Sequence, residues 1–214
     1  MLYVLKEIKV ETVIVGKQYE SCENYEEFQR IVNAKKINVH IVEAGNKIRI
    51  DNSLYFYVLW PTSTNMISDN AINNNSLVCK LIYKNFSMLF TGDIEEIAEK
   101  AILSKYVNNQ ELLNADILKV AHHGSKTSSI KEFINTVSPK YAVIGVGKDN
   151  KFGHPSENTL KTLENGQVKI FRTDISGEIM IITDGNNVRI NEFYDTSWDV
   201  YEYDKFYWNN WISN

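Results

Sequence analysis

Three residues of metal-binding type follow predicted strands at nearly equal intervals along the chain. Asp93 ends L-F-T-G-D, His123 lies in K-V-A-H-H-G-S and His154 lies in F-G-H-P. The intervals are 30 and 31 residues, and a βαβ unit takes about 30. Because βαβ units align successive strand ends along one rim of a parallel sheet, we expect the three side chains to converge. A carboxylate with two imidazoles suits zinc, manganese or iron, and such an ion makes a hydroxide nucleophile near neutral pH.

A glycine stands beside each of these residues, at positions 92, 124 and 153. Glycine lets the backbone bend sharply or approach closely where a side chain would not fit. Taken singly, a histidine after a strand or a Thr-Gly-Asp turn is common in any α/β protein. The complete set on consecutive strand ends is better explained by a functional site, with Asp93 and His123 as the predicted catalytic pair.

The sequence leaves open the roles of two further residues, His122 and Asp174. His122 is either a further metal ligand or an orienting neighbour of His123. Successive residues of a strand point to opposite faces, so both histidines bind one ion only if the strand has already ended. Asp174, in R-T-D, is predicted to orient a ligand histidine through its carboxylate, and a role in a turn or cap is equally open.

The predicted substrate-binding residues are Ser125, Lys126 and Asn150, which lie in loops at the same rim. A hydroxyl at a helix start can donate to a substrate phosphate. The alternative is that the hydroxyl residues Ser125, Thr127 and Ser128 cap the helix predicted to begin near Ser129. Lys126 is interpreted as a phosphate contact, although scattered lysines are usually solvated surface.

The hydrophobic pattern predicts an α/β fold in which short apolar strands alternate with amphipathic helices. T-V-I-V-G (12–16) is predicted to be a buried strand, and Asn85-Phe86 is predicted to be the turn of a β-hairpin. From residue 89 onward, strands and helices alternate regularly, which indicates parallel strands joined by crossover helices.

Composition limits the partners and the compartment. The net charge of -4 provides no global field that attracts nucleic acid or an anionic membrane. The isolated Cys22 and Cys79 favour neither a disulfide framework nor a thiolate metal site. No stretch approaches the roughly 18 apolar residues of a membrane span, so we expect a cytoplasmic protein.

The chain resembles the metallo-β-lactamase-fold hydrolases, and within them the soluble domain of the DNA-uptake competence protein ComEC and its free-standing relatives. The resemblance covers about residues 10–190, in order. The matching motifs are N-N-S-L-V (74–78), L-F-T-G-D-I-E-E-I-A-E (89–99), A-D-I-L-K-V-A-H-H-G-S (115–125), S-P-K-Y-A-V-I-G-V-G (138–147), N-K-F-G-H-P (150–155) and R-T-D-I-S-G-E-I (172–179). It implies an αββα sandwich with a dinuclear metal site at one rim, where Asp93 corresponds to the bridging carboxylate.

One part of the family pattern is missing. Family members carry an N-terminal H-x-H-x-D-H signature, and the 214 residues contain none. His40 is the only earlier histidine, and its place in an alternating strand favours a core or sheet-face position. We therefore expect a fold that is incomplete at its N-terminus, completed by a longer reading frame, a partner chain or a second copy. The expected cofactor is zinc or manganese, or no metal at all in this chain by itself, because the chain alone offers too few ligands for two complete metal sites.

Two functions of different class follow from this resemblance. The first is a metal-dependent hydrolase that acts on a nucleic acid, another phosphodiester or a small ester. The second is a catalytically inactive remnant that serves as a binding or interaction module. Residues 1–190 would form the domain, and residues 191–214 an aromatic-rich extension, with seven aromatic residues within 198–211, that packs on it.

Overall fold

A seven-stranded mixed sheet organises this computed structural model, which describes residues 2–17 and 23–193. The helices are α1 (Leu2–Glu7), α2 (Glu23–Lys35), α3 (Ala71–Asn74), α4 (Glu96–Lys105), α5 (Lys131–Val137), α6 (Glu157–Asn165) and α7 (Thr173–Ser176). The strands are β1 (Thr12–Gly16), β2 (Asn38–Val42), β3 (Lys47–Arg49), β4 (Leu54–Trp60), β5 (Val78–Tyr83), β6 (Phe86–Phe90), β7 (Ile117–Lys119), β8 (Tyr141–Ile144), β9 (Lys169–Arg172), β10 (Glu178–Thr183) and β11 (Val188–Phe193). The predicted packing of residues 198–211 lies outside the described residues, as does Cys22.

The strand order of the central sheet is β3-β4-β5-β6-β7-β8-β9. Strands β3 to β6 pair antiparallel, and β6 to β9 pair parallel. The carboxyl ends of β6, β7, β8 and β9 therefore meet at one rim, as the spacing of Asp93, His123 and His154 predicts. The β5–β6 hairpin turns through Lys84 and Asn85, one residue earlier than predicted, because Tyr83 pairs with Phe86.

The two faces of this sheet carry separate cores because alternate strand residues point to opposite sides. On one face, Leu89 and Leu118 pack with residues of α4, α5 and α6. On the other face, Met88 and Ile117 pack against Ile181 and Ile190 of the antiparallel β10–β11 hairpin. Helices, sheet and hairpin thus form layers, and the predicted α/β sandwich class is confirmed.

A smaller unit precedes the central sheet. Strands β1 and β2 pair parallel, and a core that includes Leu5 and Phe28 joins them to α1 and α2. The predicted strand at 12–16 is confirmed as β1. Its predicted burial is wrong, since Ile14 is 37% exposed and β1 has only β2 as a partner within 2–17 and 23–193. His40 lies opposite Ile14 in β2 and is exposed.

None of the helices in the described part of the chain is both long and apolar enough to span a membrane.

Candidate metal centre

The turn that carries Asp93 leaves the end of β6 and rests on Ser76. Gly92 has a φ of +56°, and a Cβ at this position would stand 2.7 Å from the Ser76 Cβ. Only glycine combines this backbone conformation with so close an approach. The Asp93 amide donates to the Ser76 hydroxyl at 3.2 Å, and the Thr91 hydroxyl donates to the Lys119 carbonyl at 2.6 Å. The carboxylate of Asp93 is therefore held at the rim where β6 and β7 end.

The two adjacent histidines lie in a strained turn just beyond β7. That strand ends at Lys119, and residues Ala121–Gly124 form a tight turn whose two central residues are not helical. His122 and His123 both have positive φ, at 47° and 55°. Non-glycine residues in this left-handed region are disfavoured by about 1–3 kcal/mol each and cluster at functional sites. Because the strand has ended, alternation no longer separates the two rings, and both reach the same rim.

His123 presents one ring nitrogen to Asp93. Its Nδ1 lies 2.6 Å from the Gly145 carbonyl oxygen. Since a carbonyl only accepts, Nδ1 carries the proton and donates, and a neutral ring then keeps its lone pair on Nε2. This Nε2 lies 3.8 Å from Asp93 Oδ1. A ligand histidine typically donates its other ring N–H to such an acceptor, so the pair has the form of two metal ligands.

His154 joins the histidine cluster from the loop after β8. Its ring centroid is 5.7 Å from that of His122, and the Phe152 ring stacks on it at 5.8 Å. Burial, followed by the nearby His122 and His123, lowers the pKa of His154. A neutral imidazole is the form that binds a metal. Asp93, His122, His123 and His154 thus meet at one rim.

The predicted substrate-binding residues occupy different environments. Ser125 is buried, and its hydroxyl lies 3.0 Å from that of Thr127. Lys126 is exposed. The Asn150 side chain organises the loop of His154: its amide donates to the His154 carbonyl at 2.8 Å, and its oxygen accepts from the His154 amide at 3.0 Å.

Helix α5 is not capped by the hydroxyl residues 125–128, so that alternative is wrong. The helix begins at Lys131, after Ile130, and has no side-chain cap of its own. The carboxylate of Glu99 on α4 accepts instead from the amides of Ser129, at 2.7 Å, and Ile130, at 2.9 Å.

Asp174 binds Arg172. Its two carboxylate oxygens accept from Nε at 3.1 Å and from Nη2 at 2.6 Å. A bidentate pair of this kind fixes the geometry of both side chains. The contact that the structure gives this carboxylate is therefore an arginine two residues away, and the predicted orientation of a histidine remains a proposal.

Two residues of the rim were missed by sequence reasoning. Glu95 has one carboxylate oxygen 3.5 Å from His122 Nδ1, although its E-E context reads as an ordinary helix start. The amine of Lys119 donates to the Val120 carbonyl at 3.1 Å, and burial lowers its pKa against the opposing charge of Asp93. A lysine inside the apolar run I-L-K-V-A was the available signal for the second residue.

The described residues fit part of a metal site. A carboxylate and an imidazole face each other, and His122 Nδ1 is a buried nitrogen without a hydrogen-bond partner in 2–17 and 23–193. A catalytic zinc takes three protein ligands and one open position. No group of three or more His, Cys, Asp or Glu side chains in those ranges is arranged to hold an ion. The rim therefore supplies two placed ligands with further histidines close by.

The chain is similar in sequence to two known proteins and in fold to one solved structure. It is 33% identical over 176 residues to ComE operon protein 3 of Bacillus subtilis (strain 168), covering 82% of this chain and 22% of that protein. It is 33% identical over 153 residues to competence protein ComA of Neisseria gonorrhoeae, covering 72% of this chain and 20% of that protein. The chain thus spans about a fifth of the length of these relatives.

The crystal structure of CmlA, a diiron β-hydroxylase from Streptomyces venezuelae, matches with a TM-score of 0.52 and 11% identity, over 89% of this chain and 41% of that one. At this identity the likeness shows the fold alone. No protein-family model matches the chain. The two sequence relatives and the layered α/β fold with its rim of Asp93 and histidines lead to one assignment: the chain belongs to the ComEC-like proteins of the metallo-β-lactamase fold.

Proposed function

We propose that this chain is a metal-dependent hydrolase of the ComEC-like group, whose metal site is supplied only in part by the described residues. The observation that carries the proposal is the facing pair: His123 Nε2 lies 3.8 Å from Asp93 Oδ1 while Nδ1 is tied to the Gly145 carbonyl. This arrangement directs one lone pair and one carboxylate at the same point of the rim, where zinc or manganese would bind.

Several groups of this chain would orient and position the metal ligands. A bound divalent ion would supply Lewis-acid activation of an ester and of water. The Gly145 carbonyl keeps the His123 ring in the tautomer that ligates through Nε2. Asn150 fixes the loop that brings His154 to the rim. Any ligands beyond Asp93 and the cluster of His122, His123 and His154 would come from a segment outside the described ranges, from a partner chain or from a second copy.

A phosphodiester, including one in a nucleic acid, is the substrate class that we propose. The rim loops carry Lys126, Lys148 and Lys151, all of them exposed. Exposed lysines next to a metal site can pair with phosphate oxygens and draw a polyanion to the rim. The resemblance to the DNA-uptake family supports the same class, whereas small esters would not require these cations.

A binding module without catalysis is the second candidate. It is favoured by the finding that no group of three ligand side chains is assembled in residues 2–17 and 23–193. In that case the histidine cluster would be the remnant of a lost metal site, and the chain would bind a partner without catalysing a reaction.

Metal content separates the two candidates. The purified chain is loaded with zinc or manganese, freed of excess ion and analysed for metal, beside an Asp93→Ala, His123→Ala double variant. We expect about one ion per wild-type chain and loss of that ion in the double variant, because a site with two protein ligands cannot survive without them. Binding should also weaken as the pH falls, since protons compete for imidazole nitrogens.

The matched control is the Glu7→Ala, His40→Ala double variant, which removes one exposed carboxylate and one exposed histidine from the smaller unit formed by α1, α2, β1 and β2. It should keep the metal content of the wild type. Wild-type protein without bound ion, or equal loss of metal in both double variants, would contradict the hydrolase proposal and leave the binding module.

A further inference from the structure

Glu95 lies at the centre of a hydrogen-bond network beside the histidines. Its Oε2 accepts from the side-chain amides of Asn70, at 3.0 Å, and Asn74, at 3.5 Å. Its Oε1 accepts from the Thr127 hydroxyl at 2.9 Å. Its backbone amide donates to Asn74 Oδ1 at 3.0 Å. The carboxylate is therefore fixed in orientation by donors from two other loops.

The hydrogen-bond network around Glu95 does not cap helix α4, which follows Glu95. Glu95 is the residue before α4, yet its side chain makes no capping hydrogen bond to that helix. The carboxylate is instead turned toward the histidine turn, with Oε1 3.5 Å from His122 Nδ1. The two side chains are only 18% and 23% exposed, so water screens their interaction weakly. This orientation needs an explanation other than helix capping.

Within 2–17 and 23–193, the His122 ring lacks a hydrogen-bond partner that the Glu95 carboxylate could supply. Its Nδ1 is buried and has no hydrogen-bond partner among the described residues, and a buried polar nitrogen without a partner destabilises the folded state. The backbone amide of His122 donates to the Gly92 carbonyl at 3.0 Å. An oxygen of the fixed Glu95 carboxylate lies 3.5 Å from Nδ1, and contacts of this kind tighten when a ligand engages the site.

We propose that Glu95 is a positioning residue for His122: its carboxylate accepts from Nδ1–H and so leaves the Nε2 lone pair free at the metal rim. This inference rests on the proposed function and deepens it. It makes His122 a further ligand, held by Glu95 in the way that the Gly145 carbonyl holds His123. A carboxylate behind a ligand histidine fixes its tautomer and raises its basicity.

The hydrogen-bond network around Glu95 predicts how Glu95→Gln changes the tautomer of His122. Oε2 faces two amide donors, Asn70 and Asn74, so the carbonyl oxygen of a glutamine must take that place. Its NH₂ group then stands where Oε1 faces His122 Nδ1. An NH₂ group only donates, so Nδ1 must become the acceptor and the proton must move to Nε2. Glu95→Gln therefore inverts the tautomer of His122 and blocks its metal-binding nitrogen.

The test is the tautomer of His122, read from long-range ¹H–¹⁵N correlation spectra of histidine-labelled protein at about pH 8, where imidazoles are neutral. The full 214-residue chain is used, and His122→Asn assigns the signals. We expect the Nδ1–H form in the wild type and the Nε2–H form in Glu95→Gln. Glu96→Gln, an exposed neighbour on the same helix, should leave the tautomer unchanged.

Zinc affinity gives a second readout. Glu95→Gln should weaken zinc binding about 10- to 100-fold, while Glu96→Gln should bind as the wild type does. An Nε2–H tautomer in the wild type overturns the inference without any variant, and an unchanged tautomer in Glu95→Gln overturns it as well. If the wild type binds no zinc, the proposed hydrolase function fails, while the wild-type tautomer still decides whether Glu95 positions His122.

Discussion

Replacing Gly124 by alanine is expected to destabilise the protein by about 2–5 kcal/mol and to pull the histidine turn away from the loop of His154. Gly124 has a φ of +81°, and a Cβ at this position would stand 2.6 Å from the Pro155 Cβ and 3.1 Å from the Pro155 Cα. A proline ring cannot rotate away, so the backbone of one loop has to move. Both the left-handed conformation and the collision act against the folded state.

Chemical denaturation of the Gly124→Ala variant measures this loss. Gly147→Ala is the matched control, because Gly147 lies at the same rim and a Cβ there would meet nothing within 4 Å. We expect the control to change the free energy of unfolding by no more than about 0.5 kcal/mol. A Gly124→Ala protein as stable as the control would show that the two loops do not pack as described.

The second large effect concerns Glu99, which ties α4 to the start of α5. The side chain is fully buried and accepts from the amides of Ser129 and Ile130. Glu99→Ala leaves both amides without this acceptor and opens a cavity, so we expect a loss of about 3 kcal/mol in the free energy of unfolding. Thermal or urea unfolding checks this value, with Glu96→Ala on the exposed face of α4 as the control.

Glu99 also predicts the direction of a pH dependence. Burial raises the pKa of Glu99 from its ordinary value of 4.5 to about 7, against the opposing effect of the two amide donors. The folded protein then binds the proton more tightly than the unfolded chain does. The resulting contribution to stability is fully present below pH 4.5, and it is lost as the pH rises through about 7.

Glu99→Gln carries no titratable group, so it should remove this part of the decline in stability between about pH 5 and pH 8. The free energy of unfolding across that range, compared with the wild type and with Glu164→Gln on the exposed surface of α6, provides the measurement. Equal slopes in wild type and Glu99→Gln would mean that Glu99 is ionised in the folded protein throughout.

The sequence predicted the framework of the site because that framework depends on local patterns. Apolar strands followed by helices determine parallel crossovers, and the ends of β6, β7 and β8 then bring Asp93, His123 and His154 to one rim. The β5–β6 hairpin turn lies one residue earlier than predicted, because the same apolar pattern is compatible with more than one position of a two-residue turn. The exposure of β1 was not predictable because burial depends on which strands pair with it.

The partners of the acidic residues depended on tertiary contacts. Glu95 and Glu99 both lie in a stretch that reads as a helix start, and their partners Thr127 and Ser129 are about 30 residues away in the chain. Local reasoning assigned the capping of α5 to nearby hydroxyls because these are the common capping residues. The carboxylate of a neighbouring helix took that role instead, and such a contact has no local signature.

The most direct test of the account is the position of a bound ion. Crystals of the full chain are soaked in zinc, and anomalous difference density is recorded at the zinc edge. We predict a peak at the rim within about 2.0–2.2 Å of an Asp93 carboxylate oxygen and of His123 Nε2. Zinc bound elsewhere, with His123 Nε2 and Asp93 left without an ion, would contradict the account.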